Sequence, residues 1–179
     1  VKCKVNIYGA HNGNITNTRE LKKFLLSEGH NVVSDNDGEM LVHTVEHYFD
    51  NELNKFSRQE QCHKDIRLDC MRRGIIQAAQ KMVGSYAAVI VDPVTEASWA
   101  IKGGSSLYFG VGEIDDNQFG LASSDLTAVL RFTKNLVNIR EGEYIEYAVD
   151  HYQIFALRDM KIKRPGKPDL CVKAGEKID

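Results

Sequence analysis

The feature that most constrains the fold is a change of pattern partway along the chain, from helical spacing to short strands. Turn signals recur after Val91, namely Asp92-Pro93, Gly103-Gly104, Gly110 to Gly112, Asp115 to Asn117 and Glu141-Gly142. The segments between them predict strands at residues 98–101, 107–109, 119–122, 137–139 and 144–147, and one helix at 126–133. Helices followed by such a meander predict a single α+β domain with mostly antiparallel sheets.

The first half of the chain predicts three helices, a strand at residues 4–9, a short strand at 32–33 and a strand at 86–91. Asn17 and Glu20 have capping-box spacing before a helix that ends at Gly29, and Asp37 is predicted to be the N-cap of a second helix. A third helical pattern starts at Met71, whereas residues 51–70 are polar and predict a surface loop or a loosely docked helix. Residues 4–9 predict a strand that ends in a turn over residues 12–14, because Asn-Gly is a common turn dipeptide.

Charge and hydropathy exclude several classes of function. The 179 residues include 23 basic and 25 acidic side chains, so no field of one sign favours nucleic acid or an anionic membrane. The apolar runs are much shorter than the roughly 20 residues that cross a bilayer. Four scattered cysteines without a C-x-x-C pair do not predict a disulfide framework, which favours a reducing, cytoplasmic setting.

The stretch with the clearest chemical potential is His11-Asn12-Gly13. An Asn-Gly at the end of a strand can direct one side-chain amide and one backbone N–H into the same space, as an oxyanion hole requires. Asp37 lies at a second junction between a turn and a helix. On spacing alone, however, a structural loop is the favoured interpretation of Asn-Gly.

Six segments of the sequence resemble, in order, a class II glutamine amidotransferase domain: AHNGNITNTRELKKFLLSEGH, SDNDGEMLVHTVEHYF, GSYAAVIVD, GSSLYFGVG, FGLASSDLTAVL and IREGEYIEY. The resemblance implies a four-layer αββα sandwich of the N-terminal nucleophile hydrolase type. It implies that the Asn12 side chain and the Gly13 N–H form an oxyanion hole, and that Asp37, in the motif S-x-x-D-x-E, binds the α-amino group of glutamine. His11 is expected to pack and hydrogen-bond, and not to act as a base.

One part of the family pattern is missing from this sequence. The family's nucleophile is a cysteine at the first position of the mature chain, and a later Arg-containing segment holds the glutamine carboxylate. Position 1 here is Val. The sequence therefore predicts a fragment, a processed product or one member of a split enzyme, with the N-terminal strands and the catalytic cysteine on a missing or separate segment. Residues 1–150 would form the partial glutaminase domain, and residues 151–179 a strand followed by a basic tail or linker.

Three other patterns contain residue types that can act as nucleophiles or metal ligands. Cys3 lies near the amino end, but we expect it to be a buried, inert cysteine in the strand that leads to His11. His43 and His47 fit H-x-x-E-H, the pattern of inverted zinc peptidases, but the resemblance places their helix against the sheet, and no partner acid with its own helical motif follows. A further set, Cys62, His63, Asp65 and Cys70, matches no standard zinc unit and predicts a solvated loop. No metal or organic cofactor is therefore implied.

The resemblance implies a glutaminase that hydrolyses the side-chain amide of glutamine through a cysteine thioester and passes ammonia to a synthase domain or subunit. GSSLYFGVG favours the sugar-phosphate aminotransferase branch, as in glucosamine-6-phosphate synthase, whereas AHNGN with NTREL also suits the amidophosphoribosyltransferase branch. The alternative is a catalytically silent glutamine-binding or regulatory module of the same fold. A third hypothesis, a purely structural domain, predicts that Asn12 and Asp37 do not face a common cleft.

Overall fold

Two antiparallel sheets form the centre of the computed structural model, which describes residues 3–115, 117–148, 151–158, 162–165 and 170–171. The six-stranded sheet has the order β1 (Tyr8–Ile15), β2 (Gly84–Asp92), β3 (Ala97–Gly103), β7 (Glu143–Tyr147), β8 (Tyr152–Ala156) and β9 (Ile162–Pro165). The four-stranded sheet has the order β10 (Leu170–Cys171), β6 (Asn135–Val137), β4 (Tyr108–Ile114) and β5 (Asn117–Ser123). The helices are α1 (Thr18–Ser27), α2 (Asp37–Leu53), α3 (Lys64–Lys81) and α4 (Leu126–Leu130), with a 3-10 turn at Glu60–Cys62.

The two faces of the six-stranded sheet pack against two different hydrophobic clusters, and alternate side chains of β2 point into each. Ala88 and Ile90 lie in the larger cluster, which contains the buried faces of α1, α2 and α3 together with Trp99. Ala87 and Val89 lie in or against the second cluster, which includes Phe109 of the four-stranded sheet. Because successive residues of a strand point to opposite faces, β2 contacts the helices on one side and the other sheet on the other. The predicted α+β fold with antiparallel sheets is confirmed.

The structure corrects the prediction for residues 51–70. Residues 51–70 are not one loop, because α2 continues to Leu53 and α3 already begins at Lys64. The buried side chains of Arg67, Leu68 and Cys70 hold that first part of α3 against the core, although few of its residues are apolar. At the C-terminus, β8 lies in the region where a strand was predicted. The predicted basic tail falls mostly on residues 159–161, 166–169 and 172–179, which lie outside the described residues.

An ion pair between the half-buried Arg72 and the buried Glu146 joins the helical layer to the sheet. The Arg72 guanidinium donates two hydrogen bonds to Glu146, with Nε 2.7 Å from Oε2 and Nη2 2.6 Å from Oε1. Trp99 Nε1 also donates to Glu146 Oε2, at 2.9 Å. Removing one partner of such a pair leaves an uncompensated charge, which is costly in a buried position.

We therefore expect Arg72→Met to lower the free energy of unfolding by about 3 kcal/mol in urea denaturation, because Glu146 stays buried without its cation. Arg73→Met is the matched control. Arg73 pairs with Asp69 on the surface, where an ion pair contributes less than about 1 kcal/mol. If both variants lost the same free energy of unfolding, the pairing of Arg72 with the buried Glu146 would contribute no more than a surface ion pair.

Among the residues that the structure describes, no helix has both the length and the apolar character needed to cross a lipid bilayer.

Candidate functional site

The His-Asn-Gly segment lies inside β1 and does not form a turn, so the predicted turn over residues 12–14 was wrong. Strand β1 pairs with β2 along its whole length, with Gly13 opposite Tyr86. Gly13 has φ of 137°, and a Cβ atom there would lie 2.2 Å from the backbone oxygen of Ser85. Glycine thus allows the two backbones to approach closely at this point, and pairing with β2 overrides the local turn preference of Asn-Gly.

The loop before α2 is held by the serine and the glutamate of the S-x-x-D-x-E motif. Glu39 accepts hydrogen bonds from the backbone N–H of Val33 at 2.8 Å and of Ser34 at 2.7 Å, and also from the Ser34 hydroxyl. Burial raises the pKa of the Glu39 carboxyl, but these hydrogen bonds outweigh it and the net pKa is lowered. Glu39 therefore holds the loop as a carboxylate at neutral pH.

Asn36, and not Asp37, is the N-cap of α2, which corrects the sequence prediction. The Asn36 side chain accepts a hydrogen bond from the Gly38 N–H at 2.8 Å, as an N-cap does. Asp37 is the first residue of the helix. Its carboxylate is thereby free of the capping role and turns toward β1.

The Asp37 carboxylate connects α2 to the His-Asn-Gly segment. Its Oδ2 accepts a hydrogen bond from the Ile15 N–H at 3.0 Å, and its Oδ1 lies 3.7 Å from His11 Nδ1. The His11 ring is largely buried, and its Nε2 has no hydrogen-bond partner among the described residues. His11 was expected to pack and to hydrogen-bond; its ring is buried, but its contact with Asp37 is longer than a hydrogen bond.

A cleft of about 460 Å³ lies where β1 meets the start of α2. Its lining residues are Gly9, His11, Asn12, Gly13, Asn36, Asp37, Gly38, Glu39 and Val42. Asn12 and Asp37 therefore border one common cleft, contrary to what the hypothesis of a purely structural domain predicts. The cleft combines a carboxylate, a carboxamide and an extended backbone, and these groups can bind an ammonium and a polar carbonyl.

Asn12 also borders a second, smaller cavity that sequence reasoning missed. Its Nδ2 donates a hydrogen bond to Ser124 Oγ at 2.9 Å, across to the loop between β5 and α4. The cavity has a volume of about 220 Å³, and Asn12, His11 and Ser124 are among its lining residues. Ser124 belongs to the FGLASSDLTAVL segment, but no spacing of residues in the sequence indicates its contact with Asn12.

Cys3 lies elsewhere. It is exposed and not buried as predicted, and it precedes β1 in a non-strand segment. Its Sγ is 3.3 Å from the Asn31 backbone nitrogen, and Cys3 is absent from the residues that line the cleft. Among the described residues, Cys62, His63, Asp65 and Cys70 do not form a metal-binding group.

Comparisons with known proteins identify the family of this chain. The sequence model of the family described as "Glutamine amidotransferase domain" matches residues 2–131. Glutamine–fructose-6-phosphate aminotransferase of Thermotoga maritima is 32% identical over 163 residues, which are 90% of this chain and 23% of that protein. The enzyme of the same name from Pyrobaculum aerophilum is 32% identical over 145 residues, or 80% of this chain and 21% of that protein. The chain thus spans less than a quarter of the length of these relatives.

A solved structure shows the same fold. Glutamine phosphoribosylpyrophosphate amidotransferase from B. subtilis, complexed with ADP and GMP, superimposes with a TM-score of 0.60 at 20% identity. The match covers 92% of this chain and 31% of that one. The family match over residues 2–131 and the relatives at 32% identity show that this chain belongs to the class II glutamine amidotransferase domain family.

Proposed function

We propose that this domain hydrolyses the side-chain amide of glutamine to glutamate and ammonia, and that a synthase domain or subunit transfers the ammonia to an acceptor. The observation that carries the proposal is the common cleft bordered by Asp37, Asn12 and Gly13. In the proposal, Asp37 binds the α-amino group of glutamine. The charge-assisted hydrogen bond between carboxylate and ammonium is strong in a partly closed site.

The Asn12 amide and the Gly13 N–H are proposed to hold the oxygen of the tetrahedral intermediate. The cysteine thiol passes its proton to its own α-amino group and attacks the side-chain carbonyl carbon. The leaving nitrogen then takes that proton, the C–N bond breaks, and ammonia departs while a thioester forms. Water then hydrolyses the thioester to glutamate and restores the thiol. Donors fixed in advance stabilise the developing oxyanion without reorganising during the reaction.

The nucleophile is proposed to come from a segment outside this sequence. Strand β1 is at the edge of its sheet, and its outer side has no strand partner among the described residues. The cleft therefore borders an edge that a further segment can approach. Such a segment would complete a four-layer αββα sandwich around the two sheets. Cys3, Cys62 and Cys70 carry free thiols, which suits the cytoplasmic setting that we propose.

A sugar phosphate is the proposed acceptor of the ammonia. The relatives from Thermotoga maritima and Pyrobaculum aerophilum are both glutamine–fructose-6-phosphate aminotransferases. The alternative function is a catalytically silent module that retains glutamine binding. It is favoured if a preparation with an N-terminal cysteine segment binds glutamine and releases no glutamate.

Glutamate release from glutamine, with intact-mass analysis of every polypeptide in the preparation, tests the proposal. We expect Asp37→Asn to raise the KM for glutamine about 100-fold with a smaller change in kcat, because asparagine keeps an acceptor for the Ile15 N–H but loses the charge that attracts ammonium. Asp35→Asn is the matched control, since Asp35 is an exposed acid on the same loop that pairs with Lys22. Equal KM values for the two variants would remove Asp37 from the binding site.

A further inference from the structure

We propose that Cys3, His30, His43 and Glu46 form a zinc site behind the cleft. One ligand atom from each residue lies within 4.8 Å of the others. His30, His43 and Glu46 are buried, whereas Cys3 is accessible to solvent and leaves a route for an ion. The proposal does not depend on the glutamine chemistry, and none of the four residues lines the cleft.

The spacing of the ligand atoms suits tetrahedral coordination. Both histidines turn Nδ1 toward the same carboxylate oxygen, with His43 Nδ1 2.9 Å and His30 Nδ1 3.2 Å from Glu46 Oε2. Ligands of a tetrahedral zinc ion, at radii of about 2.0–2.3 Å, lie about 3.3–3.8 Å apart. Small movements of these side chains would therefore place all four atoms around one ion.

The donor set identifies the ion. The carboxylate is a hard ligand, but the thiolate is soft and the two imidazoles are borderline, and these three suit Zn²⁺ and do not suit Mg²⁺ or Ca²⁺. Zn²⁺ would also balance the two negative charges of the Cys3 thiolate and the buried Glu46 carboxylate. Four protein ligands leave no open position, so the ion would be structural and not catalytic.

A second layer of hydrogen bonds holds the ligands in place. Glu46 Oε1 accepts hydrogen bonds from the backbone N–H groups of Cys3 at 2.8 Å, Lys4 at 2.9 Å and Val5 at 3.2 Å. These contacts fix the carboxylate and bring the segment before β1 to α2. Outer partners of this kind orient metal ligands and raise the affinity for the metal.

The chain of side chains behind His30 provides a path for the imidazole proton. His30 Nε2 lies 3.2 Å from His47 Nδ1, and His47 Nε2 lies 2.9 Å from the Asn51 amide. The Asn51 atom next to His47 is the amide nitrogen Nδ2. With Zn²⁺ at Nδ1, His30 would carry its proton on Nε2 and donate to His47 Nδ1, and a flip of the Asn51 amide would let its oxygen accept from His47 Nε2. His43 likewise carries its proton on Nε2, 3.8 Å from Glu39 Oε1, and the Cys3 thiol releases its proton to solvent.

An ion here would join three segments that are distant in sequence: the segment before β1, the loop between α1 and α2, and α2 itself. The unfolded chain has no preformed site for the ion. Because the ion would therefore bind only the folded state, it would stabilise the fold. The same α2 carries Asp37 in its first turn. The metal would thus hold one wall of the cleft without touching the substrate.

The test is Zn²⁺ binding by the intact protein that carries this sequence, measured as retained metal by mass spectrometry and as affinity by competition with a chromogenic chelator. We expect one ion per chain at this site. Cys3→Ser should weaken binding about 100-fold, and Asn51→Ala, which removes an outer partner, about 10-fold. Cys62→Ser is the matched control, because it removes another exposed thiol that lies outside the cluster.

Co²⁺ provides a second readout that does not depend on stability. We expect a thiolate-to-cobalt charge-transfer band in the unsubstituted protein and in Cys62→Ser, and its absence in Cys3→Ser. Because Cys3 is at the surface, its replacement should leave the circular dichroism spectrum unchanged. Failure to retain zinc, or equal affinities of Cys3→Ser and Cys62→Ser, would overturn the proposal and leave a metal-free hydrogen-bonded cluster. Neither outcome affects the glutaminase proposal.

Discussion

Asn12→Ala is expected to lower the kcat of glutamate release about 100-fold to 1,000-fold, with little change in the KM for glutamine. The loss is concentrated in kcat because an oxyanion donor interacts mainly with the transition state and not with bound glutamine. Asn12 lies in β1 and lines both cavities. The measurement is a coupled assay for glutamate at several glutamine concentrations.

Ser124→Ala tests how much of the effect on kcat comes from the Asn12 amide itself and how much from the hydroxyl that it contacts. Ser124 accepts the hydrogen bond from Asn12 Nδ2, and its removal leaves the amide in place with a free N–H. We expect a loss of less than about 10-fold in kcat, since a positioning contact contributes less than the donor itself. If Asn12→Ala instead raised KM at constant kcat, Asn12 would bind the ground state and the oxyanion role would be wrong.

Gly13→Ala is expected to lower the free energy of unfolding by at least about 3 kcal/mol and to abolish glutamate release. The new Cβ would lie 2.2 Å from the Ser85 backbone oxygen and 2.8 Å from Ser105 Oγ. Relief of this contact would require β1 to separate from β2, which displaces Asn12 as well. Urea denaturation measures the stability, and the coupled glutamate assay measures the activity.

Gly29→Ala distinguishes a steric clash from backbone strain. Gly29 also has a positive φ, of 80°, but no atom lies within 4 Å of the position that its Cβ would take. The expected loss is therefore about 1 kcal/mol, the usual penalty of the left-handed conformation for a residue with a Cβ. A loss for Gly13→Ala as small as that for Gly29→Ala would show that β1 and β2 can separate without harm.

The sequence predicted the fold class and the family, but it did not predict the local conformation around the expected site residues. Periodicity and turn signals report local conformation, so they identified the helices and the strand-rich half. They misassigned residues 12–14, because the pairing of β1 with β2, seventy residues later in the chain, determines that conformation. The N-cap of α2 was misplaced by one position for a different, local reason, because Asn36 and Asp37 are both good N-cap residues.

The proposed zinc cluster shows a different limit of sequence patterns. The H-x-x-E-H pattern suggested that His43 and His47 share a metal, but His47 lies behind His30, and His43 shares the Glu46 carboxylate with His30. Cys3 and His30 come from other segments, at separations that match no known spacing of zinc ligands. Only the folded arrangement brings these side chains together.

The composition of β1 has a consequence for association between molecules. A strand at the edge of a sheet offers its unpaired backbone groups to any other chain, which makes long, flat, apolar edges prone to aggregation. In β1, two glycines and two asparagines occupy four of the eight positions, and Ile15 is the only β-branched residue. Such a strand is a poor template for cross-β stacking. The glycines and asparagines of β1, which give the cleft its polar border, thus also make the edge of the sheet less prone to aggregation.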